Sequence, residues 1–375
     1  MIKKAILVIL GFVHMYPFLN SQAITKDKPL KGVWDFDLKK EWSVQFAGKF
    51  AIASCASISV SDKGKVVVHD RKSRCFYLLD GNGKLIKRFG RMGEGPGFVK
   101  MVRTSARAFI QKKDIIIFDA TSLHFFNLKG EYIKSLRVQG GATEKNICFV
   151  NEENFISSPT DLPAKPENFL KVTITNLKTG KQQPLFKISF DRPAPASVKG
   201  GRLVIRGEAG LMPGLILGSY QDRIYYGVNH QYKIYVTDSK GSPLFNFQLL
   251  RKKKKITPEE KRKLMRKPPR MPQEVYTRFL KSIPDYSLCF YRIEGHSDLI
   301  YVFNGAVNNK RIPLQKIDIF SPKGEYMYQG NIQFGKDLEL VDPLTTLIIK
   351  NDSLYAYLED SDGDIQIVKY KINLP

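Results

Sequence analysis

Val66-Val67-Val68-His69-Asp70, closed by Asp80-Gly81-Asn82-Gly83, is the stretch whose reading decides the fold. Three consecutive β-branched residues favour an extended chain, and the polar pair that ends the run can begin a turn. The glycines then supply the positive φ that a tight reversal needs. The same phrase returns as Ile115-Ile116-Ile117-Phe118-Asp119 with Leu128-Lys129-Gly130-Glu131, and as Ile224-Tyr225-Tyr226 with Asp238-Ser239-Lys240-Gly241. It returns again as Leu299-Ile300-Tyr301-Val302 with Ser321-Pro322-Lys323-Gly324.

Spacing turns the repetition into an architecture. The turn glycines Gly83, Gly130, Gly180, Gly241 and Gly324 are 47, 50, 61 and 83 residues apart. The first two steps match a four-stranded propeller blade of roughly 40–50 residues. At the C-terminus, Leu354–Leu358 and Ile365–Tyr370 flank Asp360-Ser361-Asp362-Gly363-Asp364 and form a further module that lacks an outer strand. A strand from the other terminus would complete it and close the ring, and Trp42-Ser43-Val44-Gln45-Phe46 is the candidate. The expected fold is an all-β, six-bladed β-propeller over residues 24–375. The stretch from Pro184 to Leu217 leaves room for a seventh blade.

The 83-residue step contains an interruption at residues 251–285. Thr257-Pro258-Glu259-Glu260 reads as a helix start, with Thr as cap, Pro at the first position and Glu at the third. A short basic helix follows, stopped by Pro268-Pro269, and Gln273–Ile283 forms a second one. This is a helical insertion between blades 4 and 5. From Arg251 to Arg270 it holds eleven Lys or Arg against Glu259 and Glu260. Such a run is either a solvated face or a docking patch for an anionic partner. The candidate contact residues are Arg251, Lys252, Lys253, Lys254, Lys255, Lys261, Arg262 and Lys263.

The first 23 residues read as a cleaved export signal. Lys3 and Lys4 precede the apolar stretch Ala5–Leu19, and Ser21-Gln22-Ala23 supplies small residues for cleavage. The stretch is short for a membrane span and contains His14 and Pro17. No Cys stands near its end to carry a lipid. The expected location is periplasmic or extracellular, as a monomer without a membrane span. The formal net charge of +24 draws such a protein to anionic surfaces, acidic glycans or an acidic protein. Nucleic acid fits poorly, because the basic segment lacks interleaved aromatics for stacking.

Four cysteines, Cys55, Cys75, Cys148 and Cys289, read as small buried residues. Cys55–Cys75 is the one pairing close in sequence. The Gly93-Glu94-Gly95-Pro96-Gly97-Phe98 loop lacks the Lys-Ser/Thr of a phosphate loop and reads as an inter-blade connection. Asp360, Asp362 and Asp364 resemble the opening of a calcium loop, but Gly363 stands fourth rather than sixth, and a hairpin turn explains the same residues. No cofactor is expected, and calcium is the single alternative. His69, His124, His230 and His296 are scattered, as packing residues are.

Residues 58–130 resemble the NHL-like six-bladed propellers exported by many bacteria. The resemblance rests on Gly81-Asn82-Gly83-Lys84, Arg88-Phe89-Gly90 and the loop from Gly93 to Phe98. The family commonly places a Glu between the last Gly and the Phe, where this chain has none. The resemblance implies an exported propeller, and most members have no assigned activity. Some six-bladed relatives are calcium-dependent lactonases, with Glu, Asn and Asp in the central channel. Glu208, Asn304 and Asp352 stand near blade starts but do not match that pattern residue by residue. An amidating-lyase relative needs several metal-binding His. Two functions follow: a non-catalytic binding scaffold with its ligand at the channel mouth, or a metal-dependent hydrolase in the channel.

Overall fold

Burial follows the position of a strand within its repeat. Val66–Asp70 and Cys75–Leu79 are buried along their whole length, whereas Leu85–Phe89 is largely exposed. A strand covered on both faces has no polar side to alternate with, which is why the sequence shows continuous apolar runs. The computed structural model describes residues 24–25, 27–45, 52, 55–100, 106–119, 121–138, 142–159, 169–189, 213–264, 267, 271–305 and 311–375. Their strands form six sheets, the blades of a six-bladed β-propeller. Blades 1 to 6 span Cys55–Phe89, Arg107–Arg137, Ala142–Ser189, Leu215–Gln248, Phe290–Gln333 and Leu338–Lys371. Of the stretch open to a seventh blade, the described residues belong to the outer strand of blade 3 and the inner strand of blade 4, and 190–212 lie outside the described residues. The proposed export segment 1–23 and Glu208 also lie outside them.

The core sits between blades. Phe118 of blade 2 meets Phe155 of blade 3 at 5.7 Å, and Phe247 of blade 4 meets Phe320 of blade 5 at 4.7 Å, both in tilted geometry. All four rings are fully buried, so each junction removes about 150–250 Å² of surface per ring from water.

The N-terminal segment lines the outer rim. Ile24–Thr25 pairs in parallel with the outer strand of blade 4, and Val33–Asp35 with that of blade 5. Lys39–Gln45 then pairs antiparallel with Ile365–Lys371 and completes blade 6. This closing strand begins at Lys39 rather than Trp42, and Phe46 lies outside the described residues. Three sheet edges are thereby covered by one segment. The Trp42 indole N–H donates to the Gly81 carbonyl at 2.9 Å and ties blade 6 to blade 1.

One turn chemistry recurs in every blade, between the third and fourth strands of blades 1 to 5 and between the second and third strands of blade 6. Asp80, Asn127, Asn176, Asp238 and Asp360 each accept two backbone N–H bonds through Oδ1, and Ser321 accepts one through Oγ. A glycine at φ of +71° to +86° follows in each, a conformation that an L side chain resists. In blades 1 to 5 the ladder shifts register beside this turn, the mark of a bulge that re-aims the returning strand.

In blades 1 to 5 the turns between first and second strands lie on the same face as these, and with the first turn of blade 6 they join into a ring. Ser59 accepts from the Ile110 N–H, Lys112 pairs with Glu152, and Asn151 donates to Asp222. Tyr220 donates to Asp298 at 2.9 Å, the Asn351 N–H donates to His296 Nε2 at 2.9 Å, and Lys350 pairs with Asp62 at 2.7 Å. Every blade junction is bridged on this turn face. The blade-to-blade connections, including the insertion, lie on the opposite, crossover face.

The cysteine register is informative. Asp70 is paired with Cys55 on one side and Cys75 on the other. Two strand spacings separate the thiol-bearing residues, about 9–10 Å, beyond the roughly 7 Å that a disulfide spans. The expected Cys55–Cys75 alternative is thus excluded by one intervening strand, and all four cysteines are free thiols.

Candidate functional site

The innermost strands of all six blades line a central cavity of about 240 Å³. Phe109, Phe149, Leu217, Ile293 and Ile348 are among the apolar residues of its wall. Four charged residues interrupt it: Arg107, Arg292, Glu294 and Lys350. Glu294 is the one carboxylate among the described lining residues. Lys350 is ion-paired with Asp62 in the turn ring. His296 also lines the cavity, and burial, aided by the nearby Lys350, lowers its pKa, so the imidazole stays neutral and can accept from Asn351.

A second cavity of about 480 Å³ opens between the insertion and the crossover face. The insertion contributes Lys254, Ile256, Glu260 and Lys263 to its wall, and Ser287 follows just after it. The ring contributes Tyr291, Asn304, Ile312, Leu314, Lys316 and Pro343, among others. Tyr291 lines both cavities, so the cleft lies over the channel mouth. The Tyr291 hydroxyl donates to Gln315 Oε1 at 2.7 Å. Asn304 Oδ1 is buried and accepts no hydrogen bond from the protein among the described residues.

Local sequence explains why the insertion holds this wall in place. Helix α1 (Pro258–Leu264) carries a reciprocal capping box: the Glu260 N–H donates to Thr257 Oγ1 at 3.1 Å, and the Thr257 N–H donates to Glu260 Oε2 at 2.8 Å. Those bonds and Lys254 lower the Glu260 pKa and keep it ionised. Helix α2 (Gln273–Ser282) buries Val275, Tyr276 and Phe279, and the last two form the insertion's own apolar cluster with Ile283. At its base, the Ile256 N–H donates to the Asp285 carbonyl and the Ser287 N–H to the Lys254 carbonyl, both at 2.8 Å.

The structure divides the basic run. Arg251 is not a free contact residue: its guanidinium pairs with fully buried Asp318 and donates to the Tyr326 hydroxyl at 2.8 Å. Asp318 also accepts from Tyr232 at 2.6 Å, Tyr326 at 2.7 Å and Asn304, so one carboxylate gathers four partners. Lys261 is likewise buried, with its ammonium on the Ile283 carbonyl and, at 2.7 Å, on Asp285. Lys254 and Lys263 pair with Glu260 and Glu259 at the surface. Lys252, Lys253, Lys255 and Arg262 are exposed, and no ion pair to them is seen among the described residues.

The other candidates take structural roles. Asp360 occupies the turn position described above, with Asp362 and Asp364 exposed on its flanks. His124 lies between Asp119 at 2.8 Å and Ser135 at 2.9 Å, and His69 stacks on Phe76 at 4.6 Å. Asp352 sits in a hairpin turn, and Asn304 donates to Asp318. Among the described residues no group of three or more His, Cys, Asp or Glu is placed to hold a metal ion. The Gly93–Phe98 loop folds on itself: the Gly93 N–H donates to the Val99 carbonyl, and the Phe98 ring covers Gly93, where a Cβ would approach it to 2.5 Å. Arg292 escaped the sequence reading. A lone arginine within the buried run Phe290-Tyr291-Arg292-Ile293 was the available signal.

No known family model matches the chain. None of the curated proteins matches it. Two crystal structures share its fold. One is a Bacteroides fragilis protein assigned as exported, with 10% identity and a TM-score of 0.51 over 92% of this chain and 99% of that one. The other is a member of the DUF4221 family from Bacteroides vulgatus, with 12% identity and a TM-score of 0.53 over 93% of this chain and 99% of that one. The chain is thus similar to bacterial six-bladed propellers, and at this identity the likeness is one of fold.

Proposed function

We propose that the protein is an exported, non-catalytic binding scaffold that takes an acidic glycan in the cleft between the insertion and the ring. The cleft itself carries the reading. Its rim presents Lys254, Lys263 and Lys316 to carboxylates, its buried Asn304 Oδ1 accepts from a hydroxyl, and Ile312, Leu314 and Pro343 suit the C–H faces of a sugar. Sites of this size usually combine apolar walls with a few placed polar groups. Lys252, Lys253, Lys255 and Arg262 add long-range attraction that speeds encounter more than it tightens the complex. Export is supported by the N-terminal segment behind Lys3 and Lys4, and the Bacteroides fragilis neighbour is assigned the same location. The channel wall offers one described carboxylate, Glu294, which favours binding over chemistry that needs several.

Binding of oligogalacturonate and of phosphatidylglycerol vesicles tests the reading. Replacing Lys254 and Lys263 together with Ser should weaken oligogalacturonate binding roughly tenfold, at about 0.5–1 kcal/mol per cation, and flatten its salt dependence. Unchanged glycan affinity, or binding to vesicles alone, would overturn the proposal.

A further inference from the structure

We propose that the central channel holds a second, separate site, in which Arg292 binds the carboxylate of a small organic molecule. Arg292 is 5% exposed, and its guanidinium lies 3.7 Å from the centroid of the Phe303 ring. Its Nη1 donates to the Leu344 carbonyl at 3.1 Å, in the short helix α3 (Pro343–Thr346) of blade 6. Stacking fixes the plane of the fork and this bond fixes its rotation. The remaining edge, Nε with Nη2, is buried, and neither atom makes a hydrogen bond to the described protein. Glu294 Oε1 stands 3.4 Å from Nε, near enough to balance charge but out of line for a hydrogen bond. Buried donors left without hydrogen bonds are costly even beside an ion-pair partner, and this edge has the geometry that takes a carboxylate through two parallel bonds.

Two further observations choose the ligand. Tyr301 is 1% exposed, lines the same cavity, and its hydroxyl also lacks a hydrogen-bond partner among the described residues. The cavity is about 240 Å³, and its wall mixes apolar side chains with polar ones. A compact molecule with one carboxylate on a short carbon body fits that volume and lining. A phosphate dianion would need more donors than these to replace its hydration. Arg107 lines the cavity as well and adds positive potential. The inference does not depend on the cleft, since Lys254 and Lys263 take no part in it.

Thermal unfolding of the full chain in propionate, inorganic phosphate and chloride at matched ionic strength provides the test. Propionate should raise Tm in a saturable way beyond chloride. Arg292→Lys, which keeps the charge and loses the fork, should weaken propionate binding about twentyfold, roughly one charge-assisted hydrogen bond. Glu294→Gln should tighten it about threefold by removing the like charge beside the incoming carboxylate. The Glu294→Gln arm decides the matter if Arg292→Lys does not fold. If Glu294 merely turns to grip Arg292, Glu294→Gln lowers Tm and gains no affinity, which refutes the site. Propionate no better than chloride, equal binding by Arg292→Lys, or binding of phosphate alone would each overturn the proposal.

Discussion

The two faces of the ring are held together by different means. On the turn face, short polar residues cap the hairpins of blades 1 to 4 a few positions away, and each blade then touches the next around the ring. Many small, similar interactions share the load. On the crossover face near the insertion, the buried carboxylate of Asp318 collects Arg251, Tyr232, Tyr326 and Asn304 from up to 86 residues away. The turn face is local and redundant, while this part of the crossover face is long-range and concentrated. The cleft and the exposed cations lie beside the concentrated network, where the chain departs from its repeat.

Removing the hub should therefore produce the largest loss of stability. Asp318→Ala strands the Arg251 charge, two tyrosine hydroxyls and the Asn304 amide. Breaking a buried pair costs about 3–5 kcal/mol, and because the Arg251 side chain is 33% exposed we expect the lower end, about 3 kcal/mol. Urea unfolding would measure it. Arg251→Met leaves Asp318 with three neutral donors and should cost less. Equal losses from the two variants, or less than about 1 kcal/mol from Asp318→Ala, would show that the hub is no more concentrated than the turns.

The weight of single turns can be probed with two glycines in the same φ region, Gly83 on the turn face and Gly363 on the opposite one. Gly83 has φ +82°, and a Cβ there would lie 2.7 Å from Val44 Cγ2 and 3.0 Å from the Trp42 ring, both on the closing strand. Gly363 has φ +85°, and its nearest such neighbour is Glu359 Oε1 at 3.8 Å. Gly363→Ala should cost about 1 kcal/mol, the conformational strain alone. Gly83→Ala adds the clash with the strand that closes the ring and should cost about 2 kcal/mol or more. Equal costs would show that the closing strand yields freely at blade 1.

Those turns were the legible part of the molecule. A turn cap and its glycine are neighbours in sequence, so Asp80-Gly81-Asn82-Gly83 and its copies reveal six blades without any tertiary information. The capping box at Thr257 and Glu260 was readable for the same reason. Arg251 and Lys261 were misread as free cations because their carboxylates, Asp318 and Asp285, stand 67 and 24 residues away. The Cys55–Cys75 pairing failed on register, which a linear separation cannot supply. The rim strands Ile24–Thr25 and Val33–Asp35 are two and three residues long, too short for any period to show. Arg292 needed the channel before its buried edge had meaning.

The smallest expected effect belongs to one link of the turn ring, and it depends on pH. His296 Nε2 accepts from the Asn351 N–H, and burial, with Lys350 nearby, lowers its pKa below the ordinary imidazole value. In the unfolded chain the imidazole takes up a proton near pH 6.5, before the folded one does. The unfolded state then binds more protons, so the contribution of this link is complete above that pH and declines as pH falls through the depressed folded value. Tm measured from pH 8 down to pH 5 should fall slightly more steeply in the wild type than in His296→Gln, which does not titrate in this range. Because five other junctions remain bridged, the difference should be a small change of slope and not a loss of the cooperative transition. Parallel Tm curves would show that the His296 link contributes nothing that pH can remove. A collapse of the ring near pH 6 would show that one junction carries what is here assigned to six.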